Sequence, residues 1–157
     1  MPRHPYKKRT ASPDPIYNSF EVSKLINYIT FDGKKTVSRA IVYEMLGDIK
    51  KQNEDPLKLL YKAISNVSPT MEVKPRRLGG ASYLVPTEVR KDRKLYLALN
   101  WIIEAAQGRS QKEFRTFKEK LLAEVVDASK NQGQAVGKRQ QSEKIAEANR
   151  AFSHLKW

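Results

Sequence analysis

Seven cationic side chains fall within one short segment of the chain, residues 71–94, which also holds the pair Gly79-Gly80. These cations are Lys74, Arg76, Arg77, Arg90, Lys91, Arg93 and Lys94. Ammonium and guanidinium groups bind phosphate oxygens, and the planar fork of arginine also suits base edges. Tyr83 adds a flat ring of the kind that stacks on an exposed base. The segment therefore predicts nucleic-acid binding, and the alternative is a charged edge that prevents pairing with other strands.

The element that must position these cations is a β-hairpin over residues 71–89. Two short extended runs flank Gly79-Gly80, a dipeptide that readily adopts the positive φ angles of a tight turn. Pro75 and Pro86 each lack an N–H donor, which a two-stranded ribbon with unpaired outer edges tolerates. Because an isolated ribbon is only marginally stable in water, we expect something outside this chain to hold its tip.

Other cations form smaller groups along the chain. Lys34 and Lys35 follow Asp32-Gly33 near the start of a predicted helix, where backbone amides and ammonium groups can together hold a phosphate. Solvated lysines at a turn are an equally open alternative. Arg115 lies on a predicted helix whose charges alternate in sign, and Lys138-Arg139 extends the basic surface near the C-terminus. The first residues add four more candidates, which are Arg3, Lys7, Lys8 and Arg9.

Charge and composition narrow the class of partner. The chain has 157 residues and a formal charge of +13, which favours a polyanion, with nucleic acid ahead of an anionic membrane. No apolar run approaches the roughly 18 residues of a membrane span, and the chain has no cysteine for a disulfide or a zinc-cysteine site. His4 and His154 lie near opposite ends of the chain. We therefore expect an intracellular, non-enzymatic protein without a cofactor, a metal or a membrane partner.

The remaining pattern predicts a mainly α-helical, single-domain bundle of six helices. Residues 1–15, proline-rich and basic, are predicted to be a disordered arm, and residues 16–157 the helical domain with the hairpin between its third and fourth helices. Asp55-Pro56 predicts the start of the third helix, and Ser110-Gln111-Lys112-Glu113 predicts a capping box at the start of the fifth. Asp92 is expected to cap the fourth. The sixth, Ala135 to Phe152, has a thin apolar face of Val136, Ile145, Ala148 and Phe152, which favours weak docking.

Several short motifs occur in an order that resembles ribosomal protein seven of the small subunit, in its bacterial or organellar form. The ribbon motif is the most specific of them. In chain order they are Asp32-Gly33-Lys34-Lys35, Ile41-Val42-Tyr43, Asn66-Val67-Ser68-Pro69, Glu72-Val73-Lys74, Arg76-Arg77-Leu78-Gly79-Gly80, Tyr83, Val85-Pro86, Glu88-Val89, Trp101-Ile102 and Ala148-Asn149-Arg150-Ala151-Phe152.

The resemblance implies a helical bundle whose protruding hairpin helps to bind the 3′ major domain of the small-subunit ribosomal RNA and to start assembly of the head. It also implies a position beside the exit site, where the hairpin approaches messenger RNA and exiting tRNA, with other small-subunit proteins as neighbours. The expected location is a cytoplasmic or organellar ribosome. By resemblance, the RNA-facing set includes the basic arm, Lys34-Lys35, the ribbon arginines and Arg93-Lys94. The residue chemistry adds the remaining candidates, which are Lys74, Tyr83, Arg90, Lys91, Arg115, Lys138 and Arg139. A-form RNA hides its major groove, so shape, phosphates and splayed bases are what such a surface can recognise.

Two other functions remain possible from the residues alone. A DNA-binding regulator would present base-reading side chains on a recognition helix, whereas here the densest cations lie on a ribbon and an arm. An enzyme acting on nucleic acid would need clustered carboxylates for a metal or a poised histidine, and the sequence shows neither.

Overall fold

The computed structural model describes residues 11–52 and 54–155. Within these residues the chain forms six α-helices, one two-stranded sheet and a C-terminal 3₁₀ helix, which confirms the predicted mainly helical fold with a hairpin between helices three and four. The elements are α1 (Phe20–Ile29), α2 (Lys35–Lys51), α3 (Pro56–Val67), β1 (Met71–Leu78), β2 (Ala81–Glu88), α4 (Lys91–Gly108), α5 (Phe117–Ser129), α6 (Gln134–Ala148) and the 3₁₀ helix (Arg150–Leu155).

The apolar core lies mainly between the first five helices, and Ala135 and Val136 of α6 complete it. Each helix contributes at least one fully buried side chain, and these include Leu25, Met45, Leu60, Leu99 and Leu121. Burying one such side chain stabilises the fold by about 1.5–3 kcal/mol. Trp101 on α4 is partly buried against this cluster. The bundle therefore has its own source of stability, independent of the hairpin.

The hairpin follows the predicted two-stranded design. β1 and β2 pair antiparallel from Met71 opposite Glu88 to Leu78 opposite Ala81. Gly79 and Gly80 form the turn with φ angles of 55° and 90°, values that side chains with a Cβ rarely adopt. The pair thus closes the ribbon where the sequence predicted.

The C-terminal part of the same chain packs against the ribbon, and contact of its tip with something outside the chain stays a prediction. The ring centroids of Tyr83 on β2 and Phe152 in the 3₁₀ helix are 5.3 Å apart. Just before β1, the backbone N–H and hydroxyl of Thr70 donate to one carboxylate oxygen of Glu143 on α6, at 3.0 and 2.9 Å. These contacts supply the packing that a lone ribbon lacks.

The sixth helix is shorter than predicted, and of its predicted apolar face it buries Val136 but not Ile145. It ends at Ala148, and Phe152 lies in the 3₁₀ helix that follows. Its buried residues are Ala135, Val136 and Ala146, whereas Ile145 is exposed. Small residues let α6 lie close to its neighbours, a role that a search for large apolar side chains does not detect.

The predicted starts of two helices were wrong. α5 begins at Phe117, where the Thr116 hydroxyl accepts from the N–H of Glu119 and the Glu119 carboxylate accepts from the N–H of Thr116. Ser110 instead accepts from the N–H of Lys112 within a turn. α4 begins at Lys91 without a side-chain cap, and Asp92 lies in its first turn.

An ion network connects the end of α4 to α5 and to the start of α6. The Arg109 guanidinium at the end of α4 contacts the carboxylates of Glu124 and Asp127 on α5, and it lies 5.6 Å from the ring centroid of Phe114. Glu124 is fully buried and also accepts from the N–H of Ala135 at the start of α6, at 3.0 Å. Burial lowers the pKa of Arg109, but the hydrogen bonds that its guanidinium donates to these carboxylates, together with their negative charges, outweigh that effect, so the pKa is raised. The network thereby joins three helices.

Asp14 packs against the bundle although it precedes the first helix in the chain. Asp14 is only 4% exposed, and its carboxylate accepts from the N–H groups of Ile16 and Tyr17, both at 3.1 Å. It also accepts from the Tyr43 hydroxyl on α2 at 2.8 Å. Asp14, which the sequence assigned to the arm, is therefore part of the packed bundle.

Candidate nucleic-acid interface

The two arginines near the ribbon tip face opposite sides of the hairpin. Arg76 pairs with Tyr83 and Arg77 pairs with Ser82, and successive side chains on a strand alternate between faces. Arg76 therefore shares the face on which Phe152 packs, whereas Arg77 is exposed on the other face. The ribbon can present positive charge to two directions at once.

A groove separates the base of β1 from the start of α4. Its volume is about 510 Å³, and its charged lining consists of Glu72, Lys74, Arg90, Asp92 and Arg93. The Glu72 carboxylate lies 3.4 Å from the Lys74 ammonium and 3.2 Å from the Arg93 guanidinium. Acidic side chains thus hold some of the cations in position and partly neutralise them.

The cations at the start of α4 are mostly exposed. Arg90, Lys91 and Arg93 lie at the surface, and Lys94 is half-buried. The Arg93 guanidinium lies 5.1 Å from the ring centroid of Tyr96, within the range of a cation–π contact. The ribbon and the start of α4 together bring the predicted cations of residues 74–94 to one region of the molecule.

The ring of Tyr83 is half-buried because Phe152 packs against it, with the two ring planes tilted by 51°. The part of the ring that remains accessible is what a base can contact. Its role in base stacking stays a prediction.

Lys34 and Lys35 are exposed where α2 begins. No side chain caps this helix, and the preceding Asp32 and Gly33 have φ angles of 51° and 71°. Helix N-termini with open amides attract anions, and two ammonium groups strengthen that attraction. The geometry is compatible with the phosphate contact that the sequence predicted.

The remaining predicted RNA-binding cations differ in whether they already have partners within the protein. Arg115 is exposed. The Lys138 ammonium lies 2.6 Å from the Glu104 carboxylate, and Arg139 donates to the backbone carbonyl of Asn66 at 2.7 Å. These last two cations therefore link α6 to α4 and α3. The arm candidates Arg3, Lys7, Lys8 and Arg9 lie outside the described residues.

The sequence analysis missed one exposed side chain beside the predicted lysines. Phe31 stands between α1 and Asp32-Gly33, and it is 77% exposed. The sequence did contain a signal for its exposure: Phe31 stands next to a predicted turn, where an aromatic residue has no helix face to bury it.

Other kinds of site find no support in the part of the chain that the structure describes. No cluster of three or more His, Asp or Glu side chains there could hold a metal ion. Among the same residues, no helix has the length and apolar character needed to cross a membrane.

The fold and its surface define a class: small, basic, mainly helical proteins with a cation-rich β-ribbon between two helices of the bundle. The sequence pattern of the family described as ribosomal protein S7p/S5e matches residues 1–150 of this chain. The chain belongs to that family.

Individual relatives are similar over the full length of the chain. The small ribosomal subunit protein uS7 of Caldicellulosiruptor bescii is 50% identical over 159 aligned positions, which cover 100% of both chains. The protein of that name from Thermodesulfovibrio yellowstonii is also 50% identical with 100% of both chains covered. The one from Afipia carboxidovorans is 49% identical, covering 99% of this chain and 98% of its own.

Proposed function

We propose that this chain is a structural constituent of the small ribosomal subunit that binds the 3′ major domain of its RNA and nucleates assembly of the head. The hairpin lies near the exit site in this proposal, where it contacts messenger RNA and tRNA, and other small-subunit proteins are neighbours. The chain acts by binding and positioning, without catalysis. Its location in this proposal is the ribosome.

The observation that carries this proposal is the cationic surface formed by the ribbon and the start of α4. Arg77, Arg90 and Lys91 are exposed, and the nearby groove is lined by further cations. Side chains on a ribbon and on helix ends can follow phosphates and splayed bases, which is how RNA is recognised when its major groove is closed to side chains. Family membership points in the same direction.

Lys34-Lys35, Arg115 and the arm extend this surface in our proposal. Lys138 and Arg139 contribute less direct contact, because both already have partners within the bundle. Tyr83 acts at the accessible part of its ring. The structure thus suggests a ranking among the predicted RNA-binding residues.

The salt dependence of RNA binding tests this function. The full-length chain would be titrated with a transcript of the small-subunit 3′ major domain at several KCl concentrations, with duplex DNA as competitor. Five or more phosphate contacts, with about 0.7–0.9 ions released per contact, give a slope of log affinity against log salt of about −3.5 to −4.5 or steeper.

We expect the transcript to retain the protein in the presence of excess duplex DNA. A slope shallower than about −2 would contradict the electrostatic interface. Equal competition by duplex DNA would instead favour a DNA-binding regulator.

A further inference from the structure

The turn between α1 and α2 displays an aromatic ring at the surface. Among the residues that the structure describes, Phe31 is the most exposed large apolar side chain, at 77%. Leaving a phenyl ring in water forfeits the stabilisation that its burial would provide. The fold itself does not need the ring at this position.

The backbone holds this ring next to a lysine. The Phe31 carbonyl accepts from the N–H of Lys34 at 3.0 Å, and Asp32 and Gly33 between them both have positive φ angles. Residues 31–34 therefore form a tight turn, whose first and last Cα atoms lie within about 7 Å of each other. On the other side, both the N–H and the hydroxyl of Thr30 bond the Ile26 carbonyl, at 3.1 and 2.8 Å. Ring and ammonium group thus project from one fixed turn.

A shallow apolar groove adjoins the ring. Its volume is about 290 Å³, roughly ten times the share of one water molecule. Besides Phe31, its apolar lining is Ile29, Val37, Ile41, Ile103 and Phe117. Lys34 is the charged side chain among the described lining residues, and the Asp32 carboxylate belongs to the turn rather than to the lining. The groove is therefore apolar with a positive rim.

We propose that Phe31 is a stacking platform for an unpaired RNA base, with Lys34 and Lys35 holding the phosphates beside that base. A nucleotide supplies both a planar apolar face and a negative charge, so it satisfies both parts of this surface. An apolar peptide segment would fill the groove but leave the lysines without a counter-charge. This inference rests on the proposed function and adds a base contact that charge alone does not supply.

The test compares the size and the aromatic character of residue 31. Full-length Phe31→Ala, Phe31→Leu and Phe31→Trp would be titrated with the 3′ major-domain transcript. Ile16→Ala is the matched control, because Ile16 is 67% exposed and lies outside this groove. Thermal melting checks that each variant folds, which we expect because the ring is largely in water.

Stacking predicts a loss of affinity of about 5- to 150-fold for Phe31→Ala, nearly the same loss for Phe31→Leu, and retention for Phe31→Trp. The added tryptophan should also lose fluorescence on RNA binding, measured as the difference from the wild-type chain, which has Trp101 and Trp157. Ile16→Ala should bind like the wild type.

Different failures are distinguishable. If the wild-type chain does not bind the transcript, the proposed function fails. If it binds and Phe31→Ala binds equally well, the stacking platform is overturned while the function stands. Full affinity in Phe31→Leu without quenching in Phe31→Trp would overturn it too, and would favour a protein segment as the occupant of the groove.

Discussion

Arg76 and Arg77 are adjacent in sequence but separated by the plane of the ribbon. Arg76 lies opposite Tyr83, on the face that Phe152 covers, and Arg77 lies opposite Ser82, where both side chains are exposed. The strand thus places Arg76 on the face that packs against the rest of the protein and Arg77 on the opposite face. The two arginines are expected to contact different RNA elements.

Arg77 should contribute a phosphate contact that Lys138 does not. We expect Arg77→Ala to weaken RNA binding and to make the salt slope about one unit less negative. Lys138→Ala is the control, because that ammonium already lies 2.6 Å from the Glu104 carboxylate. The measurement is the slope of log affinity against log KCl for both variants, and equal slopes for the two would refute the distinction.

Glu124 has no role in RNA binding in our proposal, but it is central to stability. Its carboxylate is fully buried and joins Arg109 to the N–H of Ala135. Glu124→Ala leaves the buried N–H of Ala135 without its acceptor and leaves Arg109 paired with Asp127 alone. We therefore expect it to lower the free energy of unfolding by about 1–3 kcal/mol.

The control for Glu124→Ala is Lys51→Ala. Lys51 pairs with Asp48 at 2.8 Å, but its side chain is 78% exposed, so we expect a change within about 1 kcal/mol. Urea unfolding followed by circular dichroism measures both. A similar midpoint shift in the two variants would mean that burial does not determine the strength of these pairs.

At the scale of elements, we expect the basic N-terminal residues to be separable from the bundle at a point before Asp14. We expect deletion of Met1 to Ser12 to leave the melting temperature nearly unchanged and to weaken RNA binding, because basic residues are lost and the Asp14 contacts are kept. Deletion of residues 1–15 should also destabilise the protein by about 1–3 kcal/mol, because the Tyr43 hydroxyl loses its acceptor. Equal melting temperatures for the two truncations would show that Asp14 is dispensable.

Helix starts show how far local sequence determines an element. Asp55 caps α3 as predicted, since its carboxylate reaches the N–H groups of Leu57 and Lys58, only two and three residues away. For α5 the predicted capping box at Ser110 was wrong, and Thr116 caps the helix instead. In the structure, in which α5 begins at Phe117, Arg109 contacts Glu124, a residue 15 positions further along the chain.

The candidate interface was predictable where it depends on local residues. Gly79-Gly80 placed the turn, and strand alternation placed the arginines on opposite faces. The packing of Phe152 on Tyr83 and the bond from Arg139 to the Asn66 carbonyl join residues about 70 positions apart. Lys138 and Arg139 therefore look like an open basic patch in the sequence, because the residues that they contact lie far away along the chain.

At the scale of the whole molecule, the core and the cationic ribbon are separate. Joining Val73 to Val85 through Gly-Gly removes the outer ribbon but keeps Val85, which is fully buried. We expect the helical circular-dichroism signal to persist, because the buried stripes lie on the helices. Incorporation into reconstituted small subunits should fall, since the ribbon cations are lost.

The control for ribbon removal is Gly79→Asn, which keeps a hairpin turn because asparagine tolerates a φ of 55°. This variant should incorporate normally, as followed by sedimentation of the reconstituted particles. Normal incorporation of the shortened chain as well would leave the ribbon as a protected edge only.

The contact between Phe152 and Tyr83 also has a consequence for the time course of synthesis. Residue 152 is added about 70 residues after residue 83, which is roughly 4–14 s later at ordinary elongation rates. Throughout that interval the nascent hairpin lacks the ring that packs on it in the finished protein. The helices α1 to α3 precede the hairpin in the chain and can begin to pack earlier. The ribbon therefore gains this packing contact only after residue 152 has been made, well after the strands that carry its cations.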